Sequence, residues 1–297
     1  MGRSYPPDVI VLDTDGLLHV RVSRGGKNPR IDQAKSYPLP EGVFTPGVVT
    51  PELADEAALA EVLRRIRVET GKWERASLLL PDAWFRINLV DLPSLPDRRD
   101  EALHAVRWSL KRTLPIPAES LRVVWEVLGK SPAGLKLLVL SAVEKTVASI
   151  ERVFSAAGID VVLMEPVGLN LWNAITVREA PTANDRLFVY VRDTDFTTAV
   201  FRGAQPLFIR SRNLTGERTV QQEIRLSANY LRETLQTVAV ERAYVAGKDD
   251  GGQVQAALAA EFSAPVVPIW LRDFVDDAPA VTAHDAEMTA CTGVFTG

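Results

Sequence analysis

The chain has 297 residues, 46% hydrophobic and 24% charged, with a formal net charge of −4. This composition excludes disorder and low complexity, leaves room for about two domains with a sizeable core, and argues against nucleic acid as a partner. The single cysteine, Cys291, forms no internal disulfide and reads as a buried thiol. No run reaches the ~18 to 20 apolar residues of a membrane span. The polar opening from Met1 to Asp8 has no apolar signal-peptide core, so the chain is expected in the cytoplasm.

Val9 to Leu12 is apolar and β-branched and runs into Asp13-Thr14-Asp15-Gly16. Leu17 to Val22 then alternates, which predicts strand, turn and strand. Gly25 to Pro29 punctuates, and Ser36 to Pro51 is an extended stretch dotted with proline and glycine. Thr50-Pro51-Glu52 offers a capping hydroxyl, a first-position proline and an acid, so a helix is expected to start there. Leu59, Val62, Leu63 and Ile66 form its apolar face, and Gly71 ends it. Ala76 to Leu80 predicts a buried strand ending at Pro81-Asp82. Phe85 to Leu92 alternates with period two. Arg98 to Leu114 predicts a helix with Leu103, Val106, Leu110 and Leu114 as its stripe, stopped by Pro115-Ile116-Pro117. Leu121 to Leu128 and Leu135 to Leu140 are strands. Ser141 with Glu144 spells a capping box for a helix lined by Val147, Ile150, Phe154 and Ala157 and closed by Gly158. Ile159 to Met164 is a strand, and Pro166 opens a helix through Leu169, Trp172 and Ile175.

Beyond the polar junction from Pro181 to Asp185, Leu187 to Val191 is a strand followed by a turn at Asp193-Thr194-Asp195. Thr197 to Phe201 and Pro206 to Arg210 are further strands. Val220, Ile224, Ala228, Leu231 and Leu235 mark a long amphipathic helix. Ala243 to Ala246 is a strand ending at Gly247, Val254 to Phe262 a helix and Val266 to Trp270 a strand. Asp273 to Asp285 is acidic and irregular, and Met288 to Phe295 closes as a helix or strand. Asp-Thr-Asp follows an apolar strand at 13 and again at 193, an echo that suggests a duplicated fold.

Catalytic signatures are missing: there is no Walker A loop, HExxH or Gly-x-Ser-x-Gly, and His19, His104 and His284 have no metal-ligand spacing. No catalytic residue and no metal site are assigned. Asp13, Asp15, Asp193 and Asp195 suit magnesium chemistry, but Asp is also a favoured turn former, and that is how they are read. Arg98, Arg99, Arg107, Lys111 and Arg112 form a basic helix face, either solvated or a contact for acidic partners or lipid headgroups. Trp108 lies off its helix's apolar stripe. With Trp84, Arg107 and Lys111 it is the candidate partner anchor.

Several stretches in order carry a family resemblance: Tyr37-Pro38-Leu39-Pro40-Glu41-Gly42 before Thr50-Pro51; Leu80-Pro81-Asp82; Leu92-Pro93-Ser94-Leu95, Ala105-Val106-Arg107-Trp108 and Leu114-Pro115-Ile116-Pro117. Leu138-Val139-Leu140-Ser141-Ala142, Ala157-Gly158-Ile159, Glu165-Pro166, Phe201-Arg202-Gly203, Phe208-Ile209-Arg210 and Tyr244-Val245-Ala246-Gly247 follow. Over residues 9 to 295 the chain resembles the PilM family of type IV pilus assembly proteins, with Ser109 where the family has Glu.

The resemblance implies a duplicated actin-like (RNase H-like) α/β fold. Residues 1–83 and 159–181 would form the first domain, 84–158 an inserted α+β subdomain of βαββαβ type, and 182–297 a reduced second domain. It also implies a cytoplasmic adaptor peripheral to the inner membrane. Such an adaptor binds the cytoplasmic tail of a bitopic partner resembling PilN, with a possible link to the assembly motor.

The family's nucleotide cleft would place Asp13, Asp15, Gly16, Asp193, Asp195 and Gly247 at its turns. The second turn lacks glycine, and Lys248-Asp249-Asp250 follows Gly247. Like-charge repulsion among four carboxylates at an effective dielectric of ~20 is on the order of several kcal/mol. The expectation is a scaffold with a degenerate site, taking neither ATP nor magnesium; the alternative is an active actin-like ATPase of the same machinery.

Overall fold

A computed structural model describes residues 5–24, 28–47, 49–111, 116–131, 134–180, 182–203, 205–214, 219–234, 240–276 and 284–295. The readings that rest on Gly25, Gly26, Lys27, Arg112, Leu114, Pro115, Pro181 and Leu235 lie outside the described residues.

In the first half β1 (Asp8–Leu12), β2 (Gly16–Arg24) and β3 (Pro29–Pro38) form an antiparallel meander. Two-residue strands β4 (Phe44–Thr45) and β5 (Glu52–Leu53) pair ahead of α1 (Glu56–Thr70) and β6 (Arg75–Leu80). An excursion follows: β7 (Phe85–Leu92), α2 (Arg99–Leu110), β8 (Leu121–Ser131) and β9 (Gly134–Val143). The chain returns through α3 (Glu144–Ala156), β10 (Asp160–Pro166) and α4 (Val167–Arg178). β6 lies parallel to β1 and β10 parallel to β6, so the sheet order is β10-β6-β1-β2-β3.

The second half repeats the plan with β11 (Asp185–Val191), β12 (Asp195–Arg202), β13 (Gln205–Asn213), α5 (Val220–Thr234), β14 (Val240–Gly247), α6 (Gln253–Glu261) and β15 (Val266–Pro268). Its order, β13-β12-β11-β14-β15, is that of the first sheet, strand for strand. A last helix, α7 (Asp285–Gly293), follows.

Strand alternation decides the layering, because neighbouring side chains point to opposite faces. From β1, Ile10 and Leu12 join Leu59, Leu63 and Ile66 of α1 and Ile150, Val153 and Phe154 of α3 in one core. Val9 and Val11 point the other way, onto Leu171 and Ile175 of α4 and Met288 and Ala290 of α7. From β11, Phe188 and Tyr190 reach the same central layer, while Leu187, Val189 and Val191 face Ile224 and Leu231 of α5 and Val254 and Leu258 of α6. The result is helix, sheet, helix, sheet, helix. The middle helices serve both sheets, and Trp172 of α4 stacks on Phe201 of β12 with ring centroids 3.9 Å apart. Each fully buried large aliphatic in these layers contributes roughly 1.5–3 kcal/mol.

Three local expectations change in the structure. The helix expected from Thr50 begins at Glu56, because Asp55 supplies the capping carboxylate, accepting the Ala58 N–H at 2.9 Å. Glu52 is held in β5 instead. Ser141 and Glu144 form no capping box. Ser141 lies within β9 with its hydroxyl 3.4 Å from the Arg86 carbonyl, and Glu144 accepts from Arg122 at 2.9 Å. Third, the excursion is a three-stranded sheet, β7-β9-β8, with α2 on one face. α3, expected within the insert, packs on α1 in the first half's core. Among the described residues no helix is long and apolar enough to cross a membrane.

Candidate functional site

The parallel strands β1, β11 and β14 end on a common side, and such ends are where open α/β sheets leave a crevice. Here they open onto a cleft of about 620 Å³ between the halves. Its lining includes Asp13, Asp15, Gly16, Arg192, Asp193, Gly247, Lys248 and Trp270. The cleft thus brings together five of the six sequence-predicted cleft residues. Asp195 is the exception: it is buried and does not line the cleft.

The two turns share one hydrogen-bond frame. The Asp13 N–H donates to the Gly16 carbonyl and the Arg192 N–H to the Asp195 carbonyl, each at 2.9 Å. The Leu39 N–H reaches the Asp15 carbonyl and the Leu214 N–H the Thr194 carbonyl, each at 2.8 Å. By this frame Asp13 corresponds to Arg192, Asp15 to Thr194 and Gly16 to Asp195. The repeated Asp-Thr-Asp is therefore one residue out of register: the fold is duplicated, but the tripeptide does not mark equivalent positions.

Opposite charge at equivalent positions has a direct consequence. The Arg192 guanidinium donates to the Asp13 carboxylate across the cleft and approaches Asp195 Oδ2 at 3.4 Å. Arg192 is 14% and Asp13 28% exposed, so the pair is partly desolvated. Lys248 donates to Asp193 at the rim. The four aspartates are thus not left as a bare cluster: two basic side chains pair with three of them. Asp15 is exposed. Among the described residues no group of three or more His, Cys, Asp or Glu is placed to hold a metal ion.

Gly247 is required by packing. Its φ is +85°, and a Cβ there would lie 2.1 Å from the Val191 carbonyl oxygen. That carbonyl accepts the Lys248 N–H at 2.8 Å, which closes β14 onto β11 at the cleft floor.

Below the cleft lies a buried polar layer that the sequence did not reveal. Asp82, 1% exposed, accepts the Gly168 N–H at the start of α4 at 2.7 Å, and its Oδ2 has no hydrogen-bond partner. Burial pushes its carboxyl up to about 7, with the charge of Asp195 adding to the rise and hydrogen bonds from Gly168 and Thr197 opposing it. Burial also raises Asp195, against the pull of Arg192. The Tyr190 hydroxyl donates to Glu287 at 2.8 Å, and burial followed by the Glu287 charge holds its proton on well above the usual range.

The candidate partner residues separate. Trp84 is 6% exposed and packs against Phe44 with ring centroids 5.3 Å apart, so it serves the core and presents no surface. Trp108 is 73% exposed on α2. Its basic neighbours are engaged: Arg107 donates to the Leu121 carbonyl at 2.7 Å, Lys111 pairs with Glu119 at 3.1 Å, and Arg98 pairs with Asp100 at 2.8 Å.

Two sheets of identical strand order, a shared helical layer and a crevice at the ends of equivalent strands define the actin-like fold. The chain is similar, at 20% identity with a TM-score of 0.78 and 98% of each chain covered, to a chain of the PilM–PilN type IV pilus biogenesis complex. It is also similar to a Bacteroides thetaiotaomicron protein with an actin-like ATPase fold (12% identity, TM-score 0.55, covering 96% of this chain and 94% of that one). A third likeness is to the cytoplasmic domain of EpsL, an inner-membrane component of the Vibrio cholerae type II secretion system (10% identity, TM-score 0.53, covering 95% and 93%). No protein-family model matches the chain, and no curated protein matches it in sequence.

Proposed function

We propose that this chain is a cytoplasmic adaptor of a type IV pilus or related secretion platform, peripheral to the inner membrane, and that it holds the cytoplasmic tail of a bitopic protein resembling PilN. Full-length likeness to a chain of the PilM–PilN complex supports the machinery, and the EpsL likeness points the same way.

The observation that carries the docking is an open strand edge beside an apolar sheet face. β10 ends the first sheet and pairs only with β6 among the described strands. The inserted sheet buries one face under α2, and the other is covered at one end, where Ile87 and Ala142 pack against the first half's core and Arg122 pairs with Glu144 and Glu151 of α3. Two cross-strand rows, Ile87–Leu140–Val124 and Leu89–Leu138–Glu126, occupy this second face; they run from partly buried Ile87 and Leu89 to exposed Val124 (52%) and Glu126. Glu126 lies within electrostatic reach of Glu165 at the end of β10, whose carboxyl is raised by burial and further by Glu126. An extended tail adding to β10 would satisfy the strand's free backbone groups and set alternate side chains on those rows. Cytoplasmic flanks of membrane spans are rich in Lys and Arg, which complements the two acids.

Fluorescence anisotropy tests the docking, using a labelled peptide of the cytoplasmic tail encoded beside this chain. Micromolar binding is expected, reduced more than about tenfold, ~1.4 kcal/mol, by Val124→Asp. No binding to the wild-type chain sinks the reading.

A second reading, an actin-like ATPase, is favoured by the size of the cleft, which falls in the ~300–1,000 Å³ range of small-molecule sites. Calorimetry with magnesium ATP decides: micromolar affinity with turnover makes this chain an ATPase.

A further inference from the structure

An actin-like cleft implies magnesium and a nucleotide, and the fold would supply one acid from each turn. The hydrogen-bond frame assigns those two positions here to Asp13 and Arg192. The second is a base, and it does not point away: its guanidinium sits on the Asp13 carboxylate and within 3.4 Å of Asp195. Arginine keeps its charge at every accessible pH and offers only donors. Both Asp13 oxygens already accept, Oδ2 from the guanidinium and Oδ1 from the Thr14 N–H at 2.6 Å, so a divalent ion would have to compete for them, and two cations side by side in a partly desolvated crevice repel. The residues present therefore do not fit a magnesium nucleotide in the arrangement the fold implies.

We propose that Arg192 is the resident cation of the cleft, holding the two acidic turns together and excluding a divalent ion and its nucleotide from between them. The idea deepens the scaffold reading, on whose non-ATPase half it rests, and is independent of tail docking. It also corrects the repulsion expected from sequence. The acids are compensated from within, Asp13 and Asp195 by Arg192 and Asp193 by Lys248, so exclusion comes from an occupant and not from bare negative charge. The bridge spans 179 residues of chain and ties one half to the other at the crevice mouth. Of the other acids lining the cleft, Glu287 is engaged by Tyr190, Asp15 is exposed, and Asp285 is partly buried with its Oδ1 lacking a hydrogen-bond partner.

The experiment measures free Mn²⁺ by electron paramagnetic resonance and thermal unfolding on the full chain, comparing the wild type with Arg192→Met, which keeps the aliphatic stem. The wild type is expected to take up no Mn²⁺ in the micromolar range. Arg192→Met is expected to bind Mn²⁺ at least about tenfold more tightly and to melt several degrees lower, about 2–4 °C for each kcal/mol lost in a chain of this size. The exchange Asp13→Arg with Arg192→Asp rebuilds the bridge in reverse, so Mn²⁺ exclusion returns and the melting point recovers relative to either single change.

Unchanged Mn²⁺ affinity in Arg192→Met overturns the proposal, whatever its melting point, as does micromolar Mn²⁺–ATP binding by the wild type. If Arg192→Met does not fold, Asp13→Asn decides: a lowered melting point supports the bridge and an unchanged one overturns it. Failure of the tail peptide to bind, with the Arg192 results as expected, removes the docking reading alone. Tail binding with no Mn²⁺ effect removes this proposal alone.

Discussion

The turn after β1 and the turn after β11 are built alike and charged oppositely. Both close with an N–H to carbonyl bond across three residues, and both are bracketed by the third strand of their sheet, through Leu39 in one and Leu214 in the other. Yet the residue that leaves the first strand is Asp13 and the one that leaves the second is Arg192. The lesson is that backbone geometry and side-chain chemistry were retained separately. The duplicated frame positions any side chain at the crevice, and the pairing of an acid with a base there turns two equivalent positions into partners.

The contrast between halves is most severely tested at Gly247. Strand pairing puts Leu80 of the first half where the second has Gly247, since Val11 faces Leu79 and Tyr190 faces Ala246. The first half buries a leucine at that place. The second has a positive φ and a carbonyl 2.1 Å from any Cβ. Gly247→Val is therefore expected to lose more than about 3 kcal/mol, read by chemical denaturation; a change near zero would mean that the halves tolerate the same residues there.

Next comes Asp82, which belongs to the first half and faces Asp195 and Thr197 of the second. In the folded chain it keeps its proton up to about pH 7, against an ordinary value of 3.8. The folded state then binds more protons than the unfolded one between those limits. Its contribution to stability is complete below the unfolded value and is lost as the pH rises through 7. Asp82→Asn is expected to flatten this fall and to stabilise the chain at pH 8 by on the order of 2 kcal/mol. Melting curves between pH 5 and 8 measure it, and an unchanged slope refutes the assignment.

The smallest effect is expected at Gly16. A Cβ there would meet the Tyr37 carbonyl at 3.0 Å, while its counterpart in the second turn, Asp195, carries a side chain. Gly16→Ala should cost about 1 kcal/mol. A neutral result would show that the first turn has room for what the second already holds.

Much of the fold was legible because the signals were local. Alternation marked β2 and β7, helical spacing marked α1 and α5, and Gly71 lay where α1 stops. β3 was not read as a strand, because Arg30, Asp32, Gln33 and Lys35 supply little apolar alternation; β2 recruits it by ladder pairing, which is a tertiary effect. Thr50-Pro51 misled because a better cap, Asp55, stood a few residues on. Trp84 was offered as a surface anchor, but its surroundings, Phe44 among them, come from segments distant in sequence.

At the site, the turns and Gly247 were found and Arg192 was not. Its partner lies in the other half of the chain, and aligning the halves on Asp-Thr-Asp hid the equivalence by one residue. Aligning Val11-Leu12-Asp13 with Tyr190-Val191-Arg192, strand end on strand end, would have exposed it. The layer of Asp82, Tyr190 and Glu287 gave no signal, since nothing in the local pattern says that a strand-end aspartate will be dry.

The central helical layer has one more implication, for the order in which the molecule can be assembled. α7 follows both sheets along the chain, yet Met288, Ala290 and Cys291 sit between them, and a Cβ on Gly293 would meet the Asn170 carbonyl of α4 at 1.9 Å. During translation the inner faces of both sheets must wait, incompletely covered, for that helix to emerge.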